Sequence, residues 1–361
     1  MDRDIKFLHA FNTIRGVGPA TLHSLKTHFG SFEAAWQADD HKLAISGIRN
    51  TELGAIVQKR SSMQPDREME QLIRSGVWCI TPENHEYPER LKEIPNPPMI
   101  LYGRGVIPDC TFAIAVVGTR KPSLYGLEAT EEIVRGLAQA GIVVVSGLAL
   151  GIDTRAHHAA LEAHGKTIAI VGSGIDRESM YPQENYNLAS RITDAGGAVL
   201  SEYACGTPAL KEHFPQRNRI ISGISRGTLV VEAPERSGAL ITARLALEQN
   251  RDVFAVPGPI FSLSSHGPNT LIREGAKLVQ RAEDVLEELG IEYTQAVPDR
   301  VEDDDAPDTE KIICALLEDP LGIDAIKEKT AIDTSTIIAS LSMLELKGKI
   351  RNLGQDTYQK T

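Results

Sequence analysis

Short apolar runs alternate with amphipathic stretches over the middle of this chain. The stretches at 126–140 and 154–163 have the period of helices that bury one face. The apolar runs are rich in β-branched residues and predict strands at 112–117, 142–146, 167–171, 198–200, 227–231 and 252–256. Buried strands separated by helices of this length are typical of a parallel sheet with right-handed crossovers. We therefore predict an α/β fold class, with a Rossmann-like parallel sheet core over residues 111–290.

The pattern differs on the amino-terminal side of this core. Residues 1–75 predict short helices, and the turn Gly16-Val17-Gly18 between two amphipathic pieces is typical of a helix-hairpin-helix. Such a hairpin contacts DNA through free backbone N–H groups, or it belongs to a small structural helical domain that contacts protein. Residues 76–110 contain two strand-like runs with a proline-rich stretch between them. We interpret this segment as an ordered connector rather than a helix.

The pattern also changes after the core. Residues 291–307 are rich in acidic residues and proline, and they predict a solvated, flexible linker. Residues 308–361 return to a helical period, with predicted helices at 311–318, 322–330 and 334–347 and a hairpin at 349–358. Three short helices followed by a hairpin suggest a winged-helix domain.

The distribution of charge matters more than the net charge of −11. Residues 291–361 hold 8 basic and 15 acidic side chains, so most of the negative charge lies outside the predicted core. Residues 211–226 hold four basic side chains against Glu212 alone. A local basic cluster on an acidic protein can still bind a polyanion, because phosphate contacts depend on nearby charge.

Several classes of protein are disfavoured. No apolar run reaches the length of a membrane span, and the first ten residues do not resemble a signal peptide. The four cysteines are scattered, with no Cys-x-x-Cys pair, which argues against a zinc site or a disulfide framework. We expect a cytoplasmic protein without a membrane partner or a bound metal.

Small residues follow several of the predicted strands. The first strand leads into Gly118-Thr119-Arg120, the second into Ser146-Gly147, the third into Gly172-Ser173-Gly174, and a later one precedes Ser237-Gly238. Turns of this kind converge on one crevice at the carboxyl edge of a parallel sheet, where ligands bind. The Gly-x-Gly-x-x-Gly pattern is absent, and no acidic residue ends the second strand, so we expect neither a dinucleotide nor any other cofactor.

The segment 211–225 combines basic and aromatic side chains. Lys211 and Arg217 could neutralise phosphates, and Phe214 could stack on an unpaired base. Splayed bases expose their faces only in a single strand, so the segment favours single-stranded over duplex DNA. In the alternative interpretation, Phe214 belongs to the core and the arginines form internal pairs.

Eight motifs occur in an order that resembles one known family. They are Gly118-Thr-Arg, Ser146-Gly-Leu-Ala-Leu-Gly-Ile-Asp, Gly172-Ser-Gly-Ile-Asp, Tyr181-Pro, Phe214-Pro-Gln-Arg-Asn-Arg-Ile-Ile-Ser-Gly, Ser237-Gly-Ala-Leu-Ile-Thr, Val256-Pro-Gly and Gly267-Pro-Asn-Thr-Leu-Ile-Arg-Glu-Gly-Ala. This order resembles the DNA-processing protein A family, also called Smf. The resemblance is dense over 111–290, and a SAM-like or helix-hairpin-helix-like amino-terminal domain and a winged helix fit the family's three-part form.

The resemblance implies single-stranded DNA binding, protection of that DNA, and loading of the RecA recombinase in natural transformation. It also implies a homodimer, for which the apolar stretch 271–279 could supply an edge. The family's Gly-Ser-Arg turn corresponds to residues 118–120, with threonine in place of serine, and its pocket lysine and phenylalanine correspond to Lys211 and Phe214. We predict DNA contacts by Gly118, Thr119, Arg120, Ser146, Gly147, Gly172, Ser173, Gly174, Lys211, Phe214, Arg217, Asn218, Arg219, Ser237, Gly238 and Thr242.

The main alternative is an enzyme of the phosphoribohydrolase type that uses the same crevice. Such an enzyme needs a general acid or base, and Asp153, Asp176, Glu202 and Glu232 lie near strand ends. Asp153 also fits the N-cap of the following helix. The Pro-Gly-Gly-x-Gly-Thr segment of the phosphoribohydrolases is absent, so we predict no catalytic residue. A protein-interaction module with an unused pocket is a further alternative.

Overall fold

The structure, a computed structural model, describes residues 4–291, 307–317, 319–330, 332–354 and 356–360. These residues form two compact units, one on each side of the predicted acidic linker. Apart from its two end positions, that linker (291–307) lies outside the described residues.

The first unit begins with six short helices. They are α1 (Ile5–Thr13), α2 (Pro19–Phe29), α3 (Phe32–Gln37), α4 (Asp40–Ala44), α5 (Asn50–Arg60) and α6 (Pro65–Arg74). The predicted Gly-Val-Gly turn joins α1 to α2, and Gly16 has a φ of +94°, which favours glycine. Phe11, Leu25 and Ile56 are fully buried in the core of this helical part.

A nine-stranded sheet forms the centre of the first unit. Its strands are β1 (Trp78–Ile80), β2 (Leu101–Gly105), β3 (Ala113–Val117), β4 (Val143–Ser146), β5 (Thr167–Ile170), β6 (Ala198–Ser201), β7 (Gly227–Val230), β8 (Asp252–Ala255) and β9 (Lys277–Leu278). The spatial order is β1-β2-β6-β5-β4-β3-β7-β8-β9. The strands from β3 to β9 pair in parallel, whereas β1 and β2 add an antiparallel edge next to β6.

Helices cover both faces of the sheet. They are α7 (Glu89–Lys92), α8 (Leu124–Gln139), α9 (Ile152–Glu162), α10 (Tyr186–Asp194), α11 (His213–Ile224), α12 (Gly238–Glu248), α13 (His266–Arg273) and α14 (Ala282–Glu288). On one face Ala115 and Ile168 pack with Ile221 of α11, and on the other Ile114 packs with Ile133 of α8. Alternate side chains of one strand pack on opposite faces of the sheet, and helices cover both faces. The strands are therefore apolar along most of their length, as is typical of parallel sheets.

The structure confirms the predicted Rossmann-like class. The six predicted core strands occur with ends displaced by at most one residue. In residues 76–110 the two strand-like runs form β1 and β2, and the proline-rich stretch between them contains the single helical turn α7. The expectation that the proline-rich stretch contains no helix was therefore wrong. Pro88 lies at the N-cap of α7, where its missing N–H costs no hydrogen bond.

The second unit has the predicted winged-helix form. Its helices are α15 (Asp308–Leu316), α16 (Ile323–Thr330) and α17 (Thr334–Leu346), and its strands are β10 (Leu321–Gly322), β11 (Ile350–Gly354) and β12 (Thr357–Lys360). The strands form a three-stranded antiparallel sheet in the order β10-β12-β11. Ile313, Leu317, Ile326, Leu341 and Ile350 contribute to its core.

Candidate nucleic-acid interface

The turns after β3 and β4 are held against each other at the carboxyl edge of the sheet. The backbone N–H of Ile152 donates to the carbonyl of Thr119 at 3.2 Å. Gly151 has a φ of +87°, and a side chain there would overlap the carbonyl oxygen of Thr119. A Cβ on Gly118 would lie 2.5 Å from the Ile152 side chain. Glycine at these positions therefore lets the Arg120 turn approach the start of α9 closely.

Arg217 links the turn after β4 to the end of β5 by hydrogen bonds. Its side chain is buried, and Nη1 donates to the carbonyls of Gly147, at 2.6 Å, and Ile170. The Oδ2 atom of Asp153 accepts from the backbone N–H of Gly147 at 3.0 Å and of Ala149 at 3.4 Å. Asp153 is thus the second residue of α9, and Gly151 is the N-cap. The expected N-cap role was wrong, because this carboxylate caps the β4–α9 loop instead.

Burial opposes ionisation of both groups. It raises the pKa of Asp153, and the nearby charge of Arg217 partly offsets this rise. Burial lowers the pKa of Arg217 to about 10, so its guanidinium stays charged at neutral pH. The charged guanidinium of Arg217 is therefore buried among the turns, with the Asp153 carboxyl as its electrostatic partner.

Phe214 contacts both Arg120 and Tyr181 next to these turns. The Arg120 guanidinium lies over the Phe214 ring, with Cζ 5.5 Å from the ring centroid. The Tyr181 ring lies 5.8 Å from that of Phe214, tilted by 57°. Arg120 and Tyr181 are exposed, and the Phe214 ring, which the guanidinium partly covers, is half-buried. We name Arg120, Phe214 and Tyr181 the aromatic clamp.

Tyr181 belongs to one of the eight motifs, but the sequence pattern did not assign it to the site. The sequence shows only that an aromatic residue follows the Gly172–Gly174 turn. The segment has no helical or strand period, so the sequence does not show which way the Tyr181 side chain points. Only the path of the chain back toward α11 places this ring beside Phe214.

The space enclosed at the aromatic clamp is small. Its walls are Arg120, Gly147, Ala149, Leu150, Tyr181, Pro182, Phe214 and Arg217, and its volume is about 20 Å³. That volume holds about one water molecule. The arrangement therefore fits an open surface that contacts a flexible ligand, rather than a cavity that encloses a nucleotide.

Lys211 is not among the residues that line this space. Helix α11 begins at His213, so Lys211 precedes the helix and helical spacing does not align it with Phe214. Its side chain is exposed, and no ion pair to it is found within the described part of the chain. Lys211 is therefore available to an anion near the start of α11.

The predicted residues at the ends of β4 and β5 stabilise the turns by buried hydrogen bonds and close packing. Ser146 Oγ donates to the carbonyl of Val116 at 2.6 Å, and Ser173 Oγ donates to that of Gly174 at 3.0 Å. Both serines are fully buried. A Cβ on Gly172 would lie 3.4 Å from the Phe214 ring, so Gly172 sets how closely that ring packs on the turn.

Asn218 links α11 to the start of α12. Its Nδ2 donates to the carbonyl of Gly238 at 3.3 Å, and Thr242 Oγ1 donates to the same carbonyl at 3.3 Å. Ser237 caps α12 by accepting from the backbone N–H of Ala239. These four predicted residues form one hydrogen-bonded corner, of which Ser237 and Gly238 are the accessible part.

Arg219 faces a different part of the unit. Its Nη2 donates to both carboxylate oxygens of Glu202 at 2.6 Å. It lines a larger cavity of about 850 Å³ whose wall includes Ile5, Lys26 and Gln216. Lys26 is itself paired with Asp4 at 2.9 Å. The lysine and the arginine of this cavity are thus neutralised within the protein, which makes it a poorer anion site than the aromatic clamp.

The acidic residues considered as catalysts hold loops in place. Glu202 pairs with Arg219, and Glu232 accepts from Ser123 and Ser264. Asp176 accepts from the backbone N–H groups of residues 179 and 206. Together with Asp153, these side chains serve structural hydrogen bonds. No group of three or more His, Cys, Asp or Glu side chains suited to a metal occurs in the described ranges.

Comparison with family models shows which protein family the chain belongs to. The family model of DNA recombination-mediator protein A matches residues 78–290, which is more than half of the chain. The chain belongs to this family. The model of the DprA winged helix domain matches residues 296–355, in agreement with the second unit.

The relatives of this DprA/Smf chain extend over most of its length. Protein Smf of Synechocystis sp. is 34% identical, with 97% of each chain covered. Protein Smf of Escherichia coli K12 is 35% identical, with 88% of this chain and 87% of the relative covered. DNA processing protein DprA of Streptococcus pneumoniae is 49% identical over 204 residues, which is 56% of this chain and 71% of the relative.

Two solved structures of the family are similar to this one. The X-ray structure of DprA from Streptococcus pneumoniae is 36% identical with a TM-score of 0.68, covering 80% of this chain and 99% of that one. The DNA processing protein A of Helicobacter pylori, described with its single-stranded DNA binding mode, is 30% identical with a TM-score of 0.53. That match covers 60% of this chain and 97% of the Helicobacter chain. Within the described residues, no helix has both the length and the apolar character of a membrane span.

Proposed function

We propose that this protein binds single-stranded DNA at the aromatic clamp. The observation that carries the proposal is the Arg120 guanidinium over the Phe214 ring, 5.5 Å from its centroid, with Tyr181 alongside. A planar guanidinium can clamp a phosphate, while an adjacent aromatic face can stack on an unpaired base. A single strand presents both groups next to each other, whereas a duplex hides the base faces.

The proposed contacts come from three parts of the site. Arg120 and Lys211 contact phosphates, and Phe214 and Tyr181 contact bases. The backbone of the turns at 118–119, 147 and 172–174 sets the distance of the strand from the sheet. Arg217 is a buried charge among the turns, and Asn218 and Thr242 hold the corner that presents Ser237 and Gly238. Arg219 is a structural partner of Glu202 in this assignment.

The proposal assigns no catalytic residue. The carboxylates of Asp153, Glu202 and Glu232 are buried and serve structural hydrogen bonds, and the space at the clamp is about 20 Å³. The test is calorimetry with oligo-dT and with nucleoside monophosphates. We expect heat from the oligomer and no turnover of the monophosphates. Release of a base from a monophosphate would favour the phosphoribohydrolase alternative.

We propose further that the protein protects single-stranded DNA and loads RecA in the cytoplasm during natural transformation, as a homodimer. The support is membership of the DNA recombination-mediator protein A family and the names of its DNA-processing relatives. The test is RecA filament formation on protein-coated single strands. Filament formation that this protein leaves unchanged would contradict the RecA part and leave DNA binding to be judged separately.

A further inference from the structure

An exposed apolar surface lies next to the turn that carries Arg120. Its members are Leu124 (79% exposed), Ile260 (73%), Phe261 (93%), Leu263 (74%) and the half-exposed Tyr125. Leu124 and Tyr125 begin α8, whereas the other three belong to the loop after β8. We name these five residues the outer apolar patch.

A shared carboxylate holds the two halves of the outer apolar patch together. The Oε1 atom of Glu232 accepts from Ser123 Oγ at 2.7 Å and from Ser264 Oγ at 2.8 Å. Leu124 follows the first of these serines and Leu263 precedes the second. Tyr125 Oη donates to the carbonyl of Pro257 at 2.6 Å, which joins the two segments a second time.

The loop after β8 is also fixed at its base. Asn269 accepts from the backbone N–H of Gly258 at 3.2 Å and donates to its carbonyl at 3.0 Å. The backbone is therefore anchored while Ile260, Phe261 and Leu263 project into solvent. Large apolar side chains that are exposed together on two joined segments indicate a binding site.

The chemistry around the outer apolar patch favours a nucleic acid as its occupant. The most exposed aromatic side chains of the described residues are Phe112, Tyr125, Tyr181 and Phe261, and three of these four lie at the carboxyl edge of the sheet. Residues 118–126 contain Arg120 and Lys121, both exposed, and no acidic residue. Residues 257–265 contain no charged side chain. Aromatic faces interleaved with cations are typical of single-strand binding, and this patch continues from Arg120 through Lys121.

We infer that a single strand leaves the aromatic clamp along residues 120–125 and crosses the outer apolar patch, where Phe261 and Tyr125 stack on further bases. This second platform rests on the proposed function, because it extends the same DNA path. Its consequence is a binding site longer than the clamp alone would need. A strand too short to reach Phe261 gains nothing from the platform.

The experiment compares the full-length protein with its Phe261→Ala, Phe261→Leu and Phe261→Trp variants. Affinity is measured by anisotropy on a short oligo-dT of about six nucleotides and a long one of about twenty, which bracket usual site sizes. We expect Phe261→Ala and Phe261→Leu to weaken binding of the long strand by roughly 5- to 100-fold and to leave the short strand unchanged. Phe261→Trp keeps the affinity, and the long strand, unlike the short one, quenches its fluorescence.

Phe112→Leu is the matched control, because Phe112 is an exposed ring at the opposite edge of the sheet. We expect it to bind both strands normally. Unchanged affinity of Phe261→Ala for the long strand overturns the inference. A second result also overturns it. If Phe261→Ala lowers the mass measured by light scattering, and Phe261→Leu restores both that mass and the DNA affinity, the outer apolar patch is a contact between copies of the protein. If the unmodified protein binds neither strand, the proposed function itself fails.

Discussion

At the residue scale, the contact between Arg120 and Phe214 joins two kinds of chemistry that act on different parts of a nucleotide. The guanidinium supplies charge, and the ring supplies a flat apolar face, with the two groups 5.5 Å apart. The charge releases counterions when it meets a phosphate, whereas stacking does not. The dependence of affinity on salt therefore separates the two roles.

Replacing either cation should change the salt dependence, and replacing the ring should not. Arg120→Ala and Lys211→Ala should each weaken oligo-dT binding and reduce the slope of log K against log salt by about 0.7, since each removes one phosphate contact. Phe214→Ala should weaken binding by about 1–3 kcal/mol with an unchanged slope. Salt-titrated anisotropy measures both quantities. Thermal melts of the three variants control for folding, and normal affinity of folded Arg120→Ala would remove the clamp from its assigned role.

Gly151 shows how a single backbone position supports this geometry. A side chain there would require a φ of +87° and would overlap the Thr119 carbonyl. We expect Gly151→Ala to reduce the free energy of unfolding by more than the ~1–3 kcal/mol of backbone strain. Gly141→Ala is the control, because Gly141 has a φ of +79° with open space around it. Equal losses of stability in the two variants would show that the overlap with the Arg120 turn is unimportant.

At the element scale, the loops after β3, β4, β5 and β7 are held by buried polar groups rather than by a ligand. Arg217 and Asp153 hold the turn after β4, and Glu232 joins the start of α8 to the loop after β8. Buried polar groups with satisfied hydrogen bonds fix a backbone in one arrangement. We therefore expect the proposed DNA site to be formed before any strand binds.

The buried His157 side chain on α9 should make the free energy of unfolding smaller at acidic pH. This fully buried side chain on α9 contacts Thr167 Oγ1 at 2.7 Å, and because that hydroxyl donates to the Val144 carbonyl, Nδ1 is the donor. Burial lowers the pKa of His157 from 6.5 to about 3. The unfolded chain therefore binds more protons between these values, and the free energy of unfolding rises with pH in that window.

The expected result is a loss of stability on the order of 2 kcal/mol between pH 7 and pH 5 from this histidine. Denaturant unfolding at both values measures it. His157→Gln should reduce the dependence by this amount and leave the part due to His9, whose pKa burial also lowers, to about 4. His85→Gln should keep the full dependence, since His85 is an exposed loop residue. A His157→Gln protein with the original pH dependence would contradict this account.

The elements were predictable from the sequence, whereas the site was predictable only in part. Strands β3 to β8 are short, mostly apolar runs between amphipathic stretches, so a local pattern was sufficient to locate them. Arg120, Lys211 and Phe214 were predicted to form one binding unit. Arg120 and Phe214 lie in contact, whereas Lys211 precedes α11 and is not aligned with Phe214 by helical spacing. Tyr181 beside Phe214, and Arg219 turned toward Glu202, depend on long-range packing that no local pattern records. Asp153 was misassigned because an acid near a helix start also suits the loop before it.

At the scale of the whole molecule, the proposed DNA contacts all belong to the first unit. Deleting residues 306–361 should therefore leave affinity for oligo-dT largely intact, since the winged helix supplies none of the proposed contacts. Anisotropy on the truncated protein, with circular dichroism as the control for folding, measures this. Loss of most of the affinity in a folded truncated protein would place essential contacts in the winged helix.

The oligomeric state is a second property of the whole molecule. We expect a homodimer, for which Leu278 on the edge strand β9 offers an exposed apolar side chain. Light scattering at micromolar concentration measures the mass, and a Leu278→Asp variant should be a monomer. A monomeric unmodified protein would contradict the dimer without affecting the DNA site.

The proposed function requires that the carboxyl edge of the sheet bind a single strand through both charge and stacking. The most direct measurement is salt-titrated anisotropy of the full-length protein on an oligo-dT and on a blunt duplex of equal length. We expect tighter binding to the single strand, and we expect that affinity to fall with salt by about 0.7 log units per decade for each phosphate contact. Equal affinity for the duplex, or binding to oligo-dT that salt does not change, would contradict the proposed function.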